Sequence, residues 1–113
     1  VPSQVITAHI TAQTIAAERE NAVVVPKLLM IDNQRGTNDC EITIQDSFTP
    51  SAYYGVAAPP AQIIERLKVQ AVMGDVLTLN EADLKGVKCL GAMLVDSDNT
   101  DALCDITVGY EHE

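Results

Sequence analysis

Tryptophan is absent from this 113-residue chain, and the aromatic residues reduce to Phe48, Tyr53, Tyr54 and Tyr110. Sugar-binding platforms and base-stacking surfaces are built on exposed rings, so the scarcity weighs against both. Basic residues are also few, seven against sixteen acidic ones, for a formal charge of −9. Arg19, Lys27, Arg35, Arg66, Lys68, Lys85 and Lys88 are scattered along the chain. Phosphate backbones and anionic membranes attract clustered Lys and Arg, so direct nucleic-acid binding and membrane attachment are disfavoured. No apolar run approaches transmembrane length. No basic start and hydrophobic stretch mark Val1-Pro2-Ser3-Gln4 as a signal peptide, which is expected to be absent or already removed. The six glycines are too dispersed for a phosphate loop.

Catalytic and metal-binding signatures are equally scarce. Three cysteines allow at most one internal disulfide. Cys40 and Cys104 fall at inward positions of apolar alternations, and Cys89 follows Lys88 in a third strand-like run, so free buried thiols are expected. No Cys/His spacing suits zinc. His9 and His112 have no sequence neighbour resembling a nucleophile or an orienting group. The expectation is a non-enzymatic protein without cofactors.

What the sequence does contain is alternation. In residues 102–111, Cys104, Ile106, Val108 and Tyr110 alternate with Asp105, Thr107, Gly109 and Glu111. A period of two marks a strand with one buried and one wet face. Cys40-Glu41-Ile42-Thr43-Ile44 echoes Cys104-Asp105-Ile106-Thr107-Val108. Further strands are expected through about residue 12, at residues 22–26 and 27–31, from 40 to 45, from about 65 to 72, and at 76–79, 87–95 and 102–111. Residues 13–21 fit either a strand or a helix. The 27–31 and 40–45 segments suggest an antiparallel pair. Asn80 to Gly86 has an N-cap Asn, first-turn acids and a closing glycine, which predicts one helical turn near 80–85. The sum is an all-β chain: a single antiparallel β-sandwich or jelly roll of about 7–8 short strands spanning residues 1–113.

Three segments stand out as candidate sites. Residues 1–17 carry no charge, which predicts that residues 1–12 serve as an assembly strand or arm, with Ile6 and Ile10 contacting a partner. Residues 46–61 form a long loop with three prolines and three of the four aromatics. There Tyr53 and Tyr54 either contact a partner or, with Phe48, plug an end of the sandwich. Asp96, Asp98 and Asp101 on one polar turn are candidate calcium ligands, and Asp32-Asn33 with Asp39 a weaker set. The EF-hand glycine and bidentate glutamate are missing, and Asp and Asn are also ordinary turn residues.

Val25-Pro26-Lys27, Leu28-Leu29-Met30-Ile31-Asp32-Asn33 and the terminal Asp105-Ile106-Thr107-Val108-Gly109-Tyr110 give a texture that resembles small β-sandwich or jelly-roll modules of virus and tailed-phage particles, such as capsid decoration (cement) proteins. That resemblance implies a non-catalytic structural protein on the virion surface, clamping a capsid lattice through protein contacts, often as a homo-oligomer. The alternative is an extracellular binding module that recognises carbohydrate or protein through the 46–61 loop.

Overall fold

The computed structural model describes residues 2–50, 55, 57 and 60–113. It contains eight strands: β1 (Ser3–Ala8), β2 (Gln13–Ala16), β3 (Val24–Asp32), β4 (Cys40–Phe48), β5 (Gln62–Ala71), β6 (Val76–Leu79), β7 (Ala92–Ser97) and β8 (Asp101–His112). They form two four-stranded antiparallel sheets, ordered β1-β8-β3-β6 and β2-β7-β4-β5. The chain therefore pairs its first strand with its last, its second with its seventh, its third with its sixth and its fourth with its fifth. A long hairpin rolled across two sheets in this way is the jelly-roll order.

Alternation explains which side chains meet between the sheets. Leu29, Ile31, Ile106 and Val108 come from the first sheet, and Ile15, Ile42, Ile44, Met93 and Val95 from the second. All are buried, each contributing about 1.5–3 kcal/mol of burial free energy. The echo between residues 40–44 and 104–108 now has a reason. β4 and β8 are both interior strands, one in each sheet. Their inward series, Cys40-Ile42-Ile44 and Cys104-Ile106-Val108, answer the same packing problem.

Several boundaries differ from the sequence reading. β3 and β4 do not pair; β3 lies between β8 and β6, and β4 between β7 and β5. Residues 33–39 cross from one sheet to the other instead of making a hairpin. β1 stops at Ala8, and residues 9–12 cross to β2, which resolves the helix-or-strand ambiguity at 13–16 in favour of a strand. β4 runs on through Asp46, Ser47 and Phe48, so the long connection is 49–61 and not 46–61. A carboxylate inside the strand is tolerated because Asp46 has four hydrogen-bond donors around it, described below. β7 starts only at Ala92; before it, Cys89 makes an isolated bridge to Val24.

The 80–86 segment folds as its composition suggests. Asn80 Oδ1 accepts from the N–H groups of Ala82 and Asp83 at 3.1 and 3.2 Å, and Asp83 Oδ2 accepts from the Asn80 N–H at 3.0 Å. This is a reciprocal cap. Leu84 closes one turn onto the Asn80 carbonyl at 3.1 Å and is buried in the core. Gly86 then adopts φ +89° and ends the turn.

Connections leaving odd-numbered strands (9–12, 33–39, 72–75 and 98–100) gather at one end of the sandwich. Their mutual bonds include Asn33 N–H to the Asp75 carbonyl at 3.0 Å and Ile10 N–H to Thr100 Oγ1 at 3.2 Å. The 17–23 and 80–91 connections lie at the other end, with the C-terminus.

Candidate functional site

In an antiparallel ladder, residues that exchange bonds with the neighbouring strand alternate with residues whose N–H and C=O point away. The Tyr110 N–H donates to the Pro2 carbonyl at 2.9 Å, and the pairing continues Gln4↔Val108 and Ile6↔Ile106. Gln4 and Ile6 therefore spend their backbone groups on β8. Ser3, Val5 and Thr7 aim theirs at the free edge of the first sheet. The Thr7 carbonyl also receives the Gln13 side-chain amide at 3.5 Å.

Four strands end a sheet here: β1, β6, β2 and β5. β5 carries Glu65, Arg66 and Lys68, the charge protection usual at edges. β2 and β6 have four residues each. β1 alone offers six residues without charge, bulged only at its last step between Thr7 and Ala8. The outer face it adjoins is also poor in charge. Val5, Thr107, Met30 and Thr78 form one row across the sheet, and Ser3, Gly109 and Leu28 the next. Charge returns in the flanking rows, at Asp105 and Asp32 toward one end, where Asp105 meets Arg35 at 3.6 Å, and at Lys27 and Glu111, 3.9 Å apart, toward the other. The second sheet instead presents Lys68, 3.1 Å from Glu65 and 3.6 Å from Glu41.

The sequence-expected contact residues fall into this frame unevenly. Ile6 turns inward and packs against the core. Val5, 68% exposed, occupies the outward position beside it. Ile10 is 62% exposed on the 9–12 crossing. Alternation already put Ile6 with Ala8 on the apolar side, so Ser3, Val5 and Thr7 were the residues to name for the wet side. Tyr53 and Tyr54 lie outside the described residues.

The acidic turn does not assemble a cation cage. Asp96 lies on the outer face of β7, bonded to Gln45 Nε2 at 3.1 Å; partial burial, then Glu65, raises its carboxyl pKa. Asp98 Oδ1 accepts the Glu41 N–H at 2.8 Å. Asp101 is buried and accepts the N–H groups of Thr37, Asn38 and Leu103 at 2.8, 3.3 and 3.0 Å. These donors, Thr37 first, hold its carboxyl below the usual range. Asp96 is thus spent on a side-chain amide, and Asp98 and Asp101 on backbone N–H groups. Among the described residues no group of three or more His, Cys, Asp or Glu side chains is placed to hold a metal ion.

His9 and His112 sit at opposite ends. His9 Nδ1 accepts the Thr11 N–H at 2.9 Å, and His112 Nε2 meets the Ala17 carbonyl at 3.0 Å. All three cysteines are free and buried. Burial pushes the Cys89 and Cys104 thiols up to about 12, so they stay protonated and poorly nucleophilic near neutral pH. Disulfide-exchange reagents are expected to label them only on unfolding. Each thiol favours the native state below its ordinary value of 9.0 and ceases to do so as pH rises toward about 12. A circular-dichroism titration should show stability falling across that window, with Cys89→Ala flattening the fall; an unchanged alkaline limb would refute the assignment.

A buried carboxylate at the opposite end was missed by sequence reasoning. Asp46 is fully buried and accepts Arg66 Nε and Nη2 at 2.9 and 2.7 Å, together with the N–H groups of Leu90 and Gly91 at 2.8 and 2.9 Å. Arg66 also lies 5.9 Å from the centre of the Phe48 ring. With four donors around a fully buried carboxylate, the cluster ties β4, β5 and the 89–91 segment together. The signal was present: Asp46 continues the inward series Cys40, Ile42, Ile44. Comparison of the chain with protein-family profiles, curated proteins and solved structures finds no match.

Proposed function

We propose that this chain is a non-catalytic structural protein that works by assembly, as a capsid decoration protein on a virion surface does. The observation that carries this reading is the uncharged free edge of β1, joined to an outer sheet face whose central rows lack charge. A protein of charge −9 approaches its own copy at least cost where it carries no charge. An exposed edge also templates strand addition. The jelly-roll order adds fold-level support, since viral capsid domains use it; lectin domains use it too.

The register follows from the ladder. Two β1 strands meeting antiparallel about Val5 place Val5 opposite Val5 of the second copy and Ser3 opposite Thr7. The outward backbone groups then face one another around a two-fold axis. The test is a pair of proline substitutions. Val5→Pro removes an N–H that points at the free edge, so the fold is expected to survive while association is lost. Ile6→Pro removes an N–H used by β8 and is expected to destabilise the fold itself. Light scattering of the full chain should give an oligomer for the parent and a lower mass for Val5→Pro. A monomeric parent would overturn the reading in favour of a binding module.

A further inference from the structure

The opposite flank of the first sheet, around β6, is built differently from the β1 edge. On β3, pairing with β6 covers only Leu29 to Asp32. The segment Val25-Pro26-Lys27 therefore has no β6 neighbour, and the missing N–H of Pro26 leaves no donor for one. There a cavity of about 510 Å³ opens against the 81–88 segment. Its apolar lining includes Val25, Pro26 and Val87, and its charged lining is Lys27, Lys85, Lys88 and Glu81. Lys27 is neutralised by Glu81 and Glu113 at 3.2 and 3.3 Å. Lys85 and Lys88 have no ion pair among the described residues, although Arg35, Arg66 and Lys68 all do. On so acidic a chain, two unpaired cations beside the apolar Val25, Pro26 and Val87 call for an acidic partner with an apolar tip.

The other end of β6 supplies one. The four-residue turn before it, Val72-Met73-Gly74-Asp75, exposes Val72 by 47% and Met73 by 53%. Gly74, at φ +93°, has nothing within 4 Å of where a Cβ would stand, so the turn is open on that side. Its base is fixed, because the Met73 N–H donates to Asp39 Oδ1 at 2.8 Å and the Gly74 N–H to the Asn33 carbonyl at 2.9 Å. Asp75 and Asp39 supply the acidic surround. The geometry points to a second copy of this chain as the occupant: its 72–75 turn seats Val72 and Met73 in the groove, with its aspartates against Lys85 and Lys88. This inference rests on the assembly reading and extends it. Two different contacts per copy build an array, where β1 pairing alone closes a dimer.

The experiment separates the two contacts. Val5→Pro removes β1 pairing in the full chain, and the residual association is read by sedimentation across a concentration series. The weight-average mass is expected to rise about twofold or more with concentration. Lys85→Glu/Lys88→Glu, or Met73→Glu, added to Val5→Pro should each abolish the rise. An equimolar mixture of those two variants should restore a heterodimer, since each brings the half the other lacks, and a variant that had merely lost stability would not do so. A Val5→Pro protein that stays monomeric at every concentration overturns the groove contact and leaves the β1 reading intact. Decanoate binding that is lost in Lys85→Glu/Lys88→Glu, without self-association, would also overturn it, by making the groove a site for a free apolar carboxylate.

Discussion

Replacing Asp46 by alanine is expected to cost the fold about 3–5 kcal/mol, the range for breaking a buried ion pair from one side. The carboxylate is wholly buried, whereas the Arg66 side chain retains 27% exposure. Water therefore rescues part of the guanidinium in the variant. It rescues little of the Gly91 N–H, whose bond to Asp46 Oδ1 is buried. An unsatisfied buried donor costs about 1–3 kcal/mol. Geometry makes the loss harder to absorb. A Cβ on Gly91 would stand 2.2 Å from the Ser47 carbonyl and 2.5 Å from the Phe48 Cβ, so this backbone lies tight against β4 with no room to turn its N–H elsewhere. Urea unfolding of Asp46→Ala and of Asp46→Ala/Arg66→Met would measure this. The double variant is expected to regain part of the loss by removing the stranded cation, but not the share owed to the two backbone donors. A loss below about 1 kcal/mol for Asp46→Ala would show that the cluster does not anchor β4 to β5 and the 89–91 segment.

The second large effect is expected at the opposite end, from Gly36→Ala. An added Cβ would fall 1.7 Å from Asn33 Oδ1 and 3.0 Å from Asp101 Oδ2. Asn33 cannot yield without loss. It is fully buried, and its Nδ2 donates to the carbonyls of Asn38 and Ala71 at 3.0 and 3.1 Å. Its backbone bonds Asp75, Gly36 and Gly74, so one residue ties the 33–39 connection to the 72–75 turn. Displacing its side chain strands two carbonyls, and Gly36→Ala should cost about 2–4 kcal/mol, on the scale of overpacking plus lost buried hydrogen bonds. Asn33→Ala should cost a similar amount. The two should not add, because the alanine at 33 vacates the space that the methyl at 36 needs. Thermal unfolding of both single variants and the double gives the coupling. Strict additivity would refute the steric account. The 72–75 turn proposed to seat in a second copy hangs from this residue, so Asn33→Ala should also weaken association in the Val5→Pro background.

Much of this architecture is local chemistry and readable as such. Inward series such as Cys104-Ile106-Val108 and Cys40-Ile42-Ile44 state which side chains face the core, because side chains alternate at every residue whatever strand lies alongside. The Asn80 cap and Gly86 stop depend on neighbours three to six residues away, and that turn forms as read. The uncharged N-terminal stretch is likewise visible without coordinates. What only the tertiary structure decided is which strand lies beside which. β3 looks no different as a neighbour of β4 than of β6 and β8, since all present the same apolar inward rows. The choice is made by how connections cross between sheets, and that determines which edges stay free. Hence Ile6 was chosen for contact where the ladder to β8 assigns the outward groups to Ser3, Val5 and Thr7. Asp46 needed Arg66, twenty residues on, and two backbone donors from residues 90 and 91 before a charge inside a strand made physical sense. Face is set by the residue itself, but pairing and charge compensation are set by partners distant in sequence.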